Sequence, residues 1–433
     1  MKKLLTTLTT TLLQIISIQT KQKANLHPIT LKKICLLFAL CCGQATAQTF
    51  YICQDDNVVT TSQLNFTDGT LTTSSIDSVT LHVPAMHFVG GDISLLPTYE
   101  EHGAKYSDIN GKHITNMLDF LKQQGWNTMR VRLFVDPSQA SAIDQGQGVR
   151  QDLNYVIALG RRIKESGLLL MLDFHYSDSW ADPSKQWTPA AWLDFDDEQL
   201  YGKIHDYTRD CLRQLNAAGA SPDFIQTGNE ISYGMLWGPA GSTANRCYTG
   251  SDANWPRFAQ LLKHAVNACR EECPQARIII HTERIAQPSV LKNFYEQMKK
   301  LDVDYDIIGL SYYPYYHGSL STLSASLTML DQEFPDKQMM IVETGCAYHY
   351  KVGDNETGYP LTYAGQKQFT TDLIATLRKY PRVTGLFWWF PEANEYGLDW
   401  NTQRVTDQWY NAGLFDNETG RALDALYELS TFR

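Results

Sequence analysis

Residues 224–231 read FIQTGNEI, the pattern of a short buried strand that ends in a polar turn. The first half is apolar and β-prone, and Gly228 interrupts it, which is typical of a strand whose last residues leave the core. Residues 339–345, MMIVETG, repeat this pattern later in the chain. Each segment places one glutamate at the carboxyl end of a strand, where parallel α/β barrels carry out their chemistry. The two segments therefore predict an enzyme with paired carboxylates, Glu230 and Glu343.

The chain around these two segments alternates strand-like and helix-like stretches. Residues 168–172, LLLML, are apolar throughout, as expected of parallel strands that are covered on both faces. Strands are predicted at 86–93, 128–134, 168–175, 224–230, 277–283, 306–313, 338–344 and 383–390. Helices are predicted at 113–124, 151–166, 197–218, 255–272, 288–300, 321–333, 364–380 and 418–432. Eight strand–helix units predict an α/β fold, a (β/α)8 TIM barrel, over residues 86–433. A doubly wound sheet is the alternative, but no Gly-rich phosphate-binding turn follows any of the strands.

Composition restricts the partners and the compartment. The 433 residues are 43% hydrophobic and can bury a large core, while the formal net charge of −10 argues against a nucleic-acid partner. Lys32 and Lys33 precede a short apolar run at 34–42, and residues 45–47 form an A-x-A cleavage pattern. Residues 1–47 are therefore predicted to be a signal peptide that directs export to the periplasm, the cell surface or the medium. Cys41 and Cys42 leave lipid anchoring open, and no later stretch predicts a transmembrane span.

Residues 48–85 differ from the rest of the chain because they are rich in Thr, Ser, Asp and Asn. They predict a short β-like N-terminal extension ahead of a catalytic domain at 86–433. Six cysteines remain after the leader, and their spacing does not match a zinc site. The spacing selects no disulfide pairing, so mostly free structural cysteines are the default expectation. We expect a monomer.

Polar or aromatic side chains end every predicted strand. Any one of them taken alone is more often an ordinary loop residue, but eight strands that all end this way favour an active face. Residues two apart on a strand, such as Arg130 and Arg132, point the same way. The strand-end residues are Asp92, Arg130, Arg132, Asp173, His175, Asn229, Glu230, His281, Glu283, Ser311, Tyr313, Glu343, Trp388 and Trp389.

Two carboxylates with an arginine and several aromatic rings are what glycoside hydrolysis needs. One glutamate must be protonated to donate to the leaving oxygen, and the other must be ionised to attack the anomeric carbon or to activate water. A nearby arginine lowers the pKa of one glutamate, and a drier environment raises the pKa of the other. Asn229 suits a hydrogen bond to a sugar hydroxyl, and Tyr313 is placed to hold the ionised glutamate.

Tryptophans in two loops extend this hypothesis. Residues 177–192 contain three Trp beside Asp, Ser and Pro, and residues 234–239, GMLWGP, add Trp237. A tryptophan cluster is often core, but these neighbours favour loops that stack on the faces of sugar rings. An open groove of this kind suits an internal cut in a neutral polysaccharide. The predicted substrate-binding residues, drawn from strand ends and loops, are Asp92, Arg130, Arg132, His175, Asp178, Trp180, Asn229, Trp237, His281, Tyr313 and Trp389.

The motifs at these positions resemble those of the endo-β-1,4-galactanases of glycoside hydrolase family 53, a family of retaining (β/α)8 glycosidases. The similarity covers about residues 86–430, with all segments in order. The matching segments are GDIS at 91–94, RVR at 130–132, DFHYSD at 173–178, WADP at 180–183, GNEI at 228–231, GLSYYP at 309–314, VET at 342–344 and GLFWW at 385–389.

The resemblance implies that Glu230 is the acid/base, that Glu343 is the nucleophile and that the anomeric configuration is retained. It also implies β-1,4-galactan, a side chain of pectic polymers, as the substrate. Two departures lie at the active face, TGCAY at 344–348 and Phe390-Pro391 where the family commonly has Glu-Pro. The alternatives are another β-glycanase of the same clan, such as a mannanase, or a non-catalytic barrel that binds glycans.

No cofactor is required for this chemistry, although some bacterial relatives carry a structural calcium near the last strand ends. The oxygen-bearing residues in that region lack the spacing of a twelve-residue calcium loop. The residues that would offer ligands are Asp354, Asn355, Glu356, Asn394, Glu395 and Asp399.

Overall fold

The computed structural model describes residues 86–247, 253–352, 356–399, 401–406 and 410–433, together with five short strands between residues 50 and 82. These residues belong to two compact units that divide between Ala85 and Met86. The predicted signal peptide at 1–47 lies outside the described residues.

Eight parallel strands close into a barrel in the second unit. Each pairs with its neighbours in chain order, and the last strand pairs with the first, with Trp389 opposite Asp92. The predicted TIM barrel is therefore confirmed. The strands are β1 Phe88–Asp92, β2 Thr128–Leu133, β3 Leu169–Phe174, β4 Phe224–Thr227, β5 Arg277–Thr282, β6 Ile307–Tyr312, β7 Gln338–Thr344 and β8 Val383–Trp389.

The barrel interior changes from apolar to polar along the strands. Its lower layer is a buried cluster that includes Phe88, Met171, Phe224, Ile279 and Met340. Inward positions recur every second residue of a strand. The next inward positions on β3, β4 and β5 are accordingly Asp173, Gln226 and His281, all of them fully buried. Polar groups therefore collect at the carboxyl ends of the strands, above an apolar base.

Helices surround the barrel and cover its outer face. In the fourth helix Val156, Leu159 and Ile163 are buried on one stripe, and Asp152 caps the helix by accepting from the Tyr155 amide. Three short helices that begin at 96, 142 and 314 were not predicted, and the last helix begins later than predicted. The helices are α1 Leu96–His102, α2 Met117–Gln123, α3 Ala142–Gly146, α4 Leu153–Glu165, α5 Asp197–Ala217, α6 Trp255–Glu272, α7 Pro288–Lys300, α8 Pro314–His317, α9 Leu320–Glu333, α10 Tyr363–Leu377 and α11 Asp424–Ser430.

The first unit contains two small antiparallel sheets, which agrees with the β character predicted for residues 48–85. One sheet pairs Phe50–Gln54 with Asn57–Thr61, and the other joins Leu64–Thr67, Thr70–Thr73 and Leu81–His82. No helix in the described part of the chain is long and apolar enough to span a bilayer. Five cysteines of the barrel unit are buried free thiols, namely Cys211, Cys247, Cys269, Cys273 and Cys346.

Candidate active site

The turn after β4 directs Glu230 into the barrel mouth. The strand was predicted to continue to 230, but it ends at Thr227 because the next residues have left-handed backbone angles. Gly228 has φ of 111° and Glu230 has φ of 48°. A side chain at 228 would also place its Cβ 2.7 Å from Ile231 Cγ2. Only glycine fits this position without strain, so the sequence GNE is tied to the shape of the turn.

Arg130 on β2 is the centre of a buried polar network. Its Nη1 lies 2.7 Å from Asp92 Oδ2, and its Nη2 lies 2.8 Å from Asp173 Oδ2. Nη2 also donates to Asn229 Oδ1 at 2.9 Å, and Nε donates to Gln226 Oε1 at 2.8 Å. The guanidinium is fully buried, so these partners are what offset the loss of its hydration. The network fixes the positions of side chains from β1, β2, β3 and the turn after β4.

Glu343 at the end of β7 receives two stabilising contacts. Arg130 Nη2 lies 2.8 Å from its Oε1, and the Tyr313 hydroxyl donates to its Oε2 at 3.1 Å. Burial raises the pKa of Glu343 to about 7, and Arg130 and the Tyr313 hydrogen bond oppose that rise. Both contacts favour the ionised form, so Glu343 is the carboxylate of the pair that is equipped to be negative.

Glu230 has the opposite environment. Burial raises its pKa well above the usual range, and the neighbouring carboxylates of Glu343 and Glu283 raise it further. Ser311 Oγ donates to Glu230 Oε1 at 2.6 Å and lies 2.8 Å from His281 Nε2. His281 Nδ1 lies 3.3 Å from the Glu230 amide nitrogen and 3.0 Å from Asn229 Oδ1, so the ring links Ser311 to the turn after β4. The Ser311 hydrogen bond opposes the rise in the pKa of Glu230, and burial outweighs it. Glu230 is therefore the carboxyl group that stays protonated.

Both glutamates line one cleft of about 550 Å³ at the carboxyl ends of the strands. Glu230 favours the protonated form, while Arg130 and Tyr313 favour the ionised form of Glu343 against the effect of its burial. Cleavage of a glycosidic bond requires both forms, a protonated acid for the leaving oxygen and an ionised carboxylate opposite it. The other lining residues are Gln147, Trp180, Ala181, Asp182, Pro183, Ser184, Lys185, Asn229, Glu283, Tyr313, Tyr316, His317, Trp389 and Phe390.

Residues 88–429 match the model of Glycosyl hydrolase family 53. The chain belongs to this family. It is 31% identical over 321 residues to the arabinogalactan endo-beta-1,4-galactanase A of Aspergillus niger, an alignment that covers 71% of this chain and 85% of the relative. It also superposes on the family 53 catalytic domain of Ignisphaera aggregans, with a TM-score of 0.70, 33% identity and coverage of 80% and 96%. A fungal beta-1,4-galactanase structure matches with a TM-score of 0.66, 29% identity and coverage of 80% and 99%. Family membership makes the protein a glycoside hydrolase.

Six of the predicted site residues line the cleft of this family 53 barrel, and they are Trp180, Asn229, Glu230, Tyr313, Glu343 and Trp389. Asn229 is bound from both ends, because its Oδ1 accepts from Arg130 and its Nδ2 donates to Ala181 O at 2.7 Å. Its amide therefore also fixes the loop after β3 against the catalytic turn.

Five further predicted residues lie beneath the cleft as a supporting layer, and they are Asp92, Arg130, Arg132, His175 and His281. Arg132 Nη1 lies 2.8 Å from Asp92 Oδ1, and its guanidinium lies 4.7 Å from the Trp180 ring centroid and 5.2 Å from that of Trp389. His175 Nδ1 accepts from the Ala181 amide at 3.0 Å, and burial lowers its pKa. These residues were predicted to contact substrate, but the structure places them behind the lining side chains.

Asp178 and Trp237 are not brought to the cleft. Asp178 holds two loops together, since its carboxylate accepts from the amides of Asp136 at 3.0 Å and Ala190 at 2.7 Å. Trp237 is fully buried, and its indole donates to Tyr233 O at 3.0 Å while Arg246 covers its ring. Neither side chain lines the cleft, and that these two bind sugar stays a prediction. Loop composition alone does not show which way a side chain packs.

Several residues of the site were missed by the sequence analysis. Gln226 bridges Arg130, Asp173 and His281, and its Nε2 lies 3.2 Å from Asp173 Oδ1 and 3.0 Å from His281 Nδ1. The available signal was Gln226 itself, a long polar side chain inside the buried segment 224–227. Tyr316, which is 48% exposed, lines the cleft from the unpredicted helix α8.

Within the described ranges, His, Cys, Asp and Glu side chains form no group of three that could hold a metal ion. Of the suggested calcium ligands, Glu356 pairs with Lys351 at 2.8 Å and Asn394 donates to Lys105 O at 2.9 Å. Asp354 and Asn355 lie outside the described residues.

Tyr313→Phe should move the acid limb of the kcat/KM profile to higher pH. The hydroxyl lowers the pKa of Glu343 by stabilising its ionised form, so its removal raises that pKa and reduces the ionised fraction on the acid side. We expect a loss of about 10-fold there, the size of one hydrogen bond to a charged group. Tyr312→Phe is the matched control, because the Tyr312 hydroxyl donates to Gly318 O at 2.9 Å, away from the glutamates. An acid limb that coincides for Tyr313→Phe and Tyr312→Phe would contradict this role.

Proposed function

We propose that this protein hydrolyses internal β-1,4-galactosidic bonds in galactan and type I arabinogalactan, with retention of configuration. The main support is the pair Glu230 and Glu343, which line one cleft of a family 53 barrel. Neighbouring carboxylates favour the protonated form of Glu230, whereas Arg130 favours the ionised form of Glu343. The galactanase activity named for relatives at about 30% identity supports this substrate over mannan.

The first chemical step breaks the glycosidic bond. Glu343 attacks the anomeric carbon, and Glu230 gives its proton to the glycosidic oxygen as that oxygen leaves with the shortened chain. A covalent ester then joins the sugar to Glu343. Arg130 and Tyr313 hold the attacking carboxylate in place and disperse its charge before the attack.

The second step returns the enzyme to its first state. Glu230, now ionised, takes a proton from water, and the resulting hydroxide attacks the same anomeric carbon and displaces Glu343. Two inversions at one carbon give net retention. Protonated Glu230 is restored because burial and the nearby carboxylates favour its neutral form.

The aromatic lining supports an internal cut in a polymer. Trp180 and Trp389 lie with ring centroids 6.0 Å apart. The Arg132 guanidinium packs against both rings. Rings of this kind stack on sugar faces with little loss of conformational entropy. Tyr316 adds a partly exposed ring to the cleft.

Export and a monomeric state are part of the proposal. Pectic polymers lie outside the cell that degrades them, and the charged, apolar and A-x-A segments within residues 32–47 support secretion. Glu230 and Glu343 line one cleft of a single chain, which supports the proposed monomer.

A polymer panel tests the proposed function. The mature protein should release several short oligosaccharides early from linear β-1,4-galactan, with the newly formed reducing ends first in the β configuration by NMR. Mannan and xylan serve as controls and should stay intact. Cleavage of mannan alone would assign another β-glycanase activity, and binding of galactan without cleavage would assign a glycan-binding role.

A further inference from the structure

A continuous row of buried polar contacts runs from Arg130, the arginine beside the nucleophile, to the acid Glu230. Arg130 Nε donates to Gln226 Oε1 at 2.8 Å, and Gln226 Nε2 lies 3.0 Å from His281 Nδ1. His281 Nε2 lies 2.8 Å from Ser311 Oγ, which donates to Glu230 Oε1 at 2.6 Å. The four side chains before Glu230 are fully buried. The two-step reaction above assigns no role to Gln226 or His281.

The direction of these contacts begins with the amide group of Gln226. A guanidinium nitrogen can only donate a hydrogen bond, so the amide oxygen is the end that faces Arg130. The NH2 end then lies 3.2 Å from Asp173 Oδ1 and 3.0 Å from His281 Nδ1. One hydrogen of this NH2 group is therefore available to Asp173, and the other points to the imidazole ring.

His281 is a neutral imidazole in this environment. Burial lowers its pKa well below the usual value, and the positive charge of Arg130 and the proximity of His175 lower it further. The carboxylate of Asp173 acts in the opposite direction and is outweighed. A neutral ring carries one hydrogen, on either Nδ1 or Nε2, and the neighbours of the two nitrogens decide which.

The contacts of His281 Nδ1 favour a nitrogen that accepts. Two donors approach it, Gln226 Nε2 at 3.0 Å and the Glu230 amide at 3.3 Å. One acceptor is also near, because Asn229 Oδ1 lies 3.0 Å away. That oxygen already accepts from Arg130 Nη2 at 2.9 Å, so it does not depend on the ring for a partner. A hydrogen on Nδ1 would face both donors, which places the hydrogen on Nε2.

We propose that Gln226 keeps the hydrogen of neutral His281 on Nε2, where it is donated to the Ser311 oxygen. Ser311 then gives its own hydrogen to Glu230 Oε1, which leaves Oε2 to carry the proton that Glu230 donates to the leaving oxygen. Gln226 is thus a positioning residue that acts through a histidine and a serine. The inference rests on the proposed function, since it concerns the acid step of that reaction.

The basic limb of the kcat/KM profile on linear β-1,4-galactan tests this role, because it reports the pKa of Glu230. The Ser311 hydrogen bond lowers that pKa, so Ser311→Ala should move the limb to higher pH. We expect about one pH unit, the size of one hydrogen bond to a charged group. Gln226→Met keeps the side-chain length but has no hydrogen to donate. His281 can then turn its hydrogen to Asn229 and accept from Ser311, so the limb should move by a similar amount.

A double variant separates this route from a general disturbance of the site. Gln226→Met combined with Ser311→Ala should have the same basic limb as Ser311→Ala alone, because the hydroxyl through which Gln226 acts is gone. A further shift in the double variant, or no shift in Gln226→Met alone, would overturn the inference. Gln366→Met is the matched control, because Gln366 is also fully buried but donates to Cys346 O at 2.9 Å. Its basic limb should coincide with that of the unmodified protein.

Nitrogen NMR tests the position of the hydrogen without any catalysis. In protein labelled with ¹⁵N in its histidine rings, the signals of His281 are those that His281→Gln lacks. Nε2 should carry the hydrogen in the unmodified protein, and Nδ1 should carry it in Gln226→Met. A hydrogen on Nδ1 in the unmodified protein would overturn the inference even if Gln226→Met did not fold, and so would a hydrogen on Nε2 in both proteins. Failure of the proposed function would appear separately, as an inability of the unmodified protein to cut galactan.

Discussion

Glu343→Gln should lose at least about 10⁴-fold in kcat on galactan while its melting temperature stays within a few degrees of that of the unmodified protein. An amide cannot attack the anomeric carbon, so the covalent intermediate does not form. The fold should survive because glutamine has nearly the same volume, and because Arg130 keeps its ion pairs with Asp92 and Asp173. The substitution also removes one of three buried negative charges around that arginine.

Reducing-sugar release and thermal unfolding, measured on the same preparation, check this expectation. Glu356→Gln is a suitable control because Glu356 is exposed and pairs only with Lys351 in the described structure. It should keep full activity. Substantial turnover by Glu343→Gln, with no trace of unmodified enzyme, would reassign the nucleophile. Loss of activity together with loss of the folded state would show instead that Glu343 is needed for stability.

The architecture was accessible from sequence because it depends on patterns that a linear chain displays. Segments such as 168–172 are apolar on every residue, which only a strand covered on both faces requires. Glu230 and Glu343 follow two such segments, and parallel strands bring their carboxyl ends to one face of a barrel. The fold and the location of the two glutamates therefore followed from periodicity and strand ends, and the family motifs supplied their roles.

The layering of the site was not accessible in the same way. Arg132 and Trp389 are both strand-end residues, yet Arg132 lies behind the ring of Trp389. Trp237 and Trp180 both lie in loops with similar neighbours, yet Trp237 is enclosed and Trp180 lines the cleft. Such differences depend on side-chain packing between distant segments, which composition and spacing do not encode.

The roles of the remaining site residues depend on hydrogen-bond partners that lie on other strands and loops of the barrel. Gln226 has three hydrogen-bonding contacts, one to each of three strands, and this role cannot be seen without those neighbours. Glu283 was noted at a strand end, but the hydrogen bond that its carboxyl group accepts from Ser232 joins two separate loops and cannot be seen in the sequence. A polar residue in an apolar strand was the one sequence signal available for Gln226.

Glu230→Ala should lower turnover of galactan by about 10² to 10⁴-fold, and the loss should depend on the leaving group. An alkoxide from a sugar needs the proton that Glu230 supplies, whereas nitrophenolate leaves without one. With 4-nitrophenyl β-1,4-galactobioside the first step should therefore stay fast and release about one equivalent of nitrophenol as a burst. The second step should be slow, because the same residue must act as base toward water.

Azide distinguishes this role from a general disruption of the site. It attacks the ester on Glu343 without a base, so it should accelerate steady-state nitrophenol release by Glu230→Ala and give a β-galactosyl azide. Ser311→Ala is the matched comparison, because it removes the hydrogen bond to Glu230 Oε1 and the contact with His281 Nε2 but keeps the carboxyl group, so it should need no azide. Absence of both burst and azide rescue would mean that glycosylation itself has failed, and Glu230 would then not be the acid. A burst followed by azide rescue requires that one residue serve both steps. That behaviour is expected of Glu230, because its environment favours the protonated form and the first step leaves it ionised.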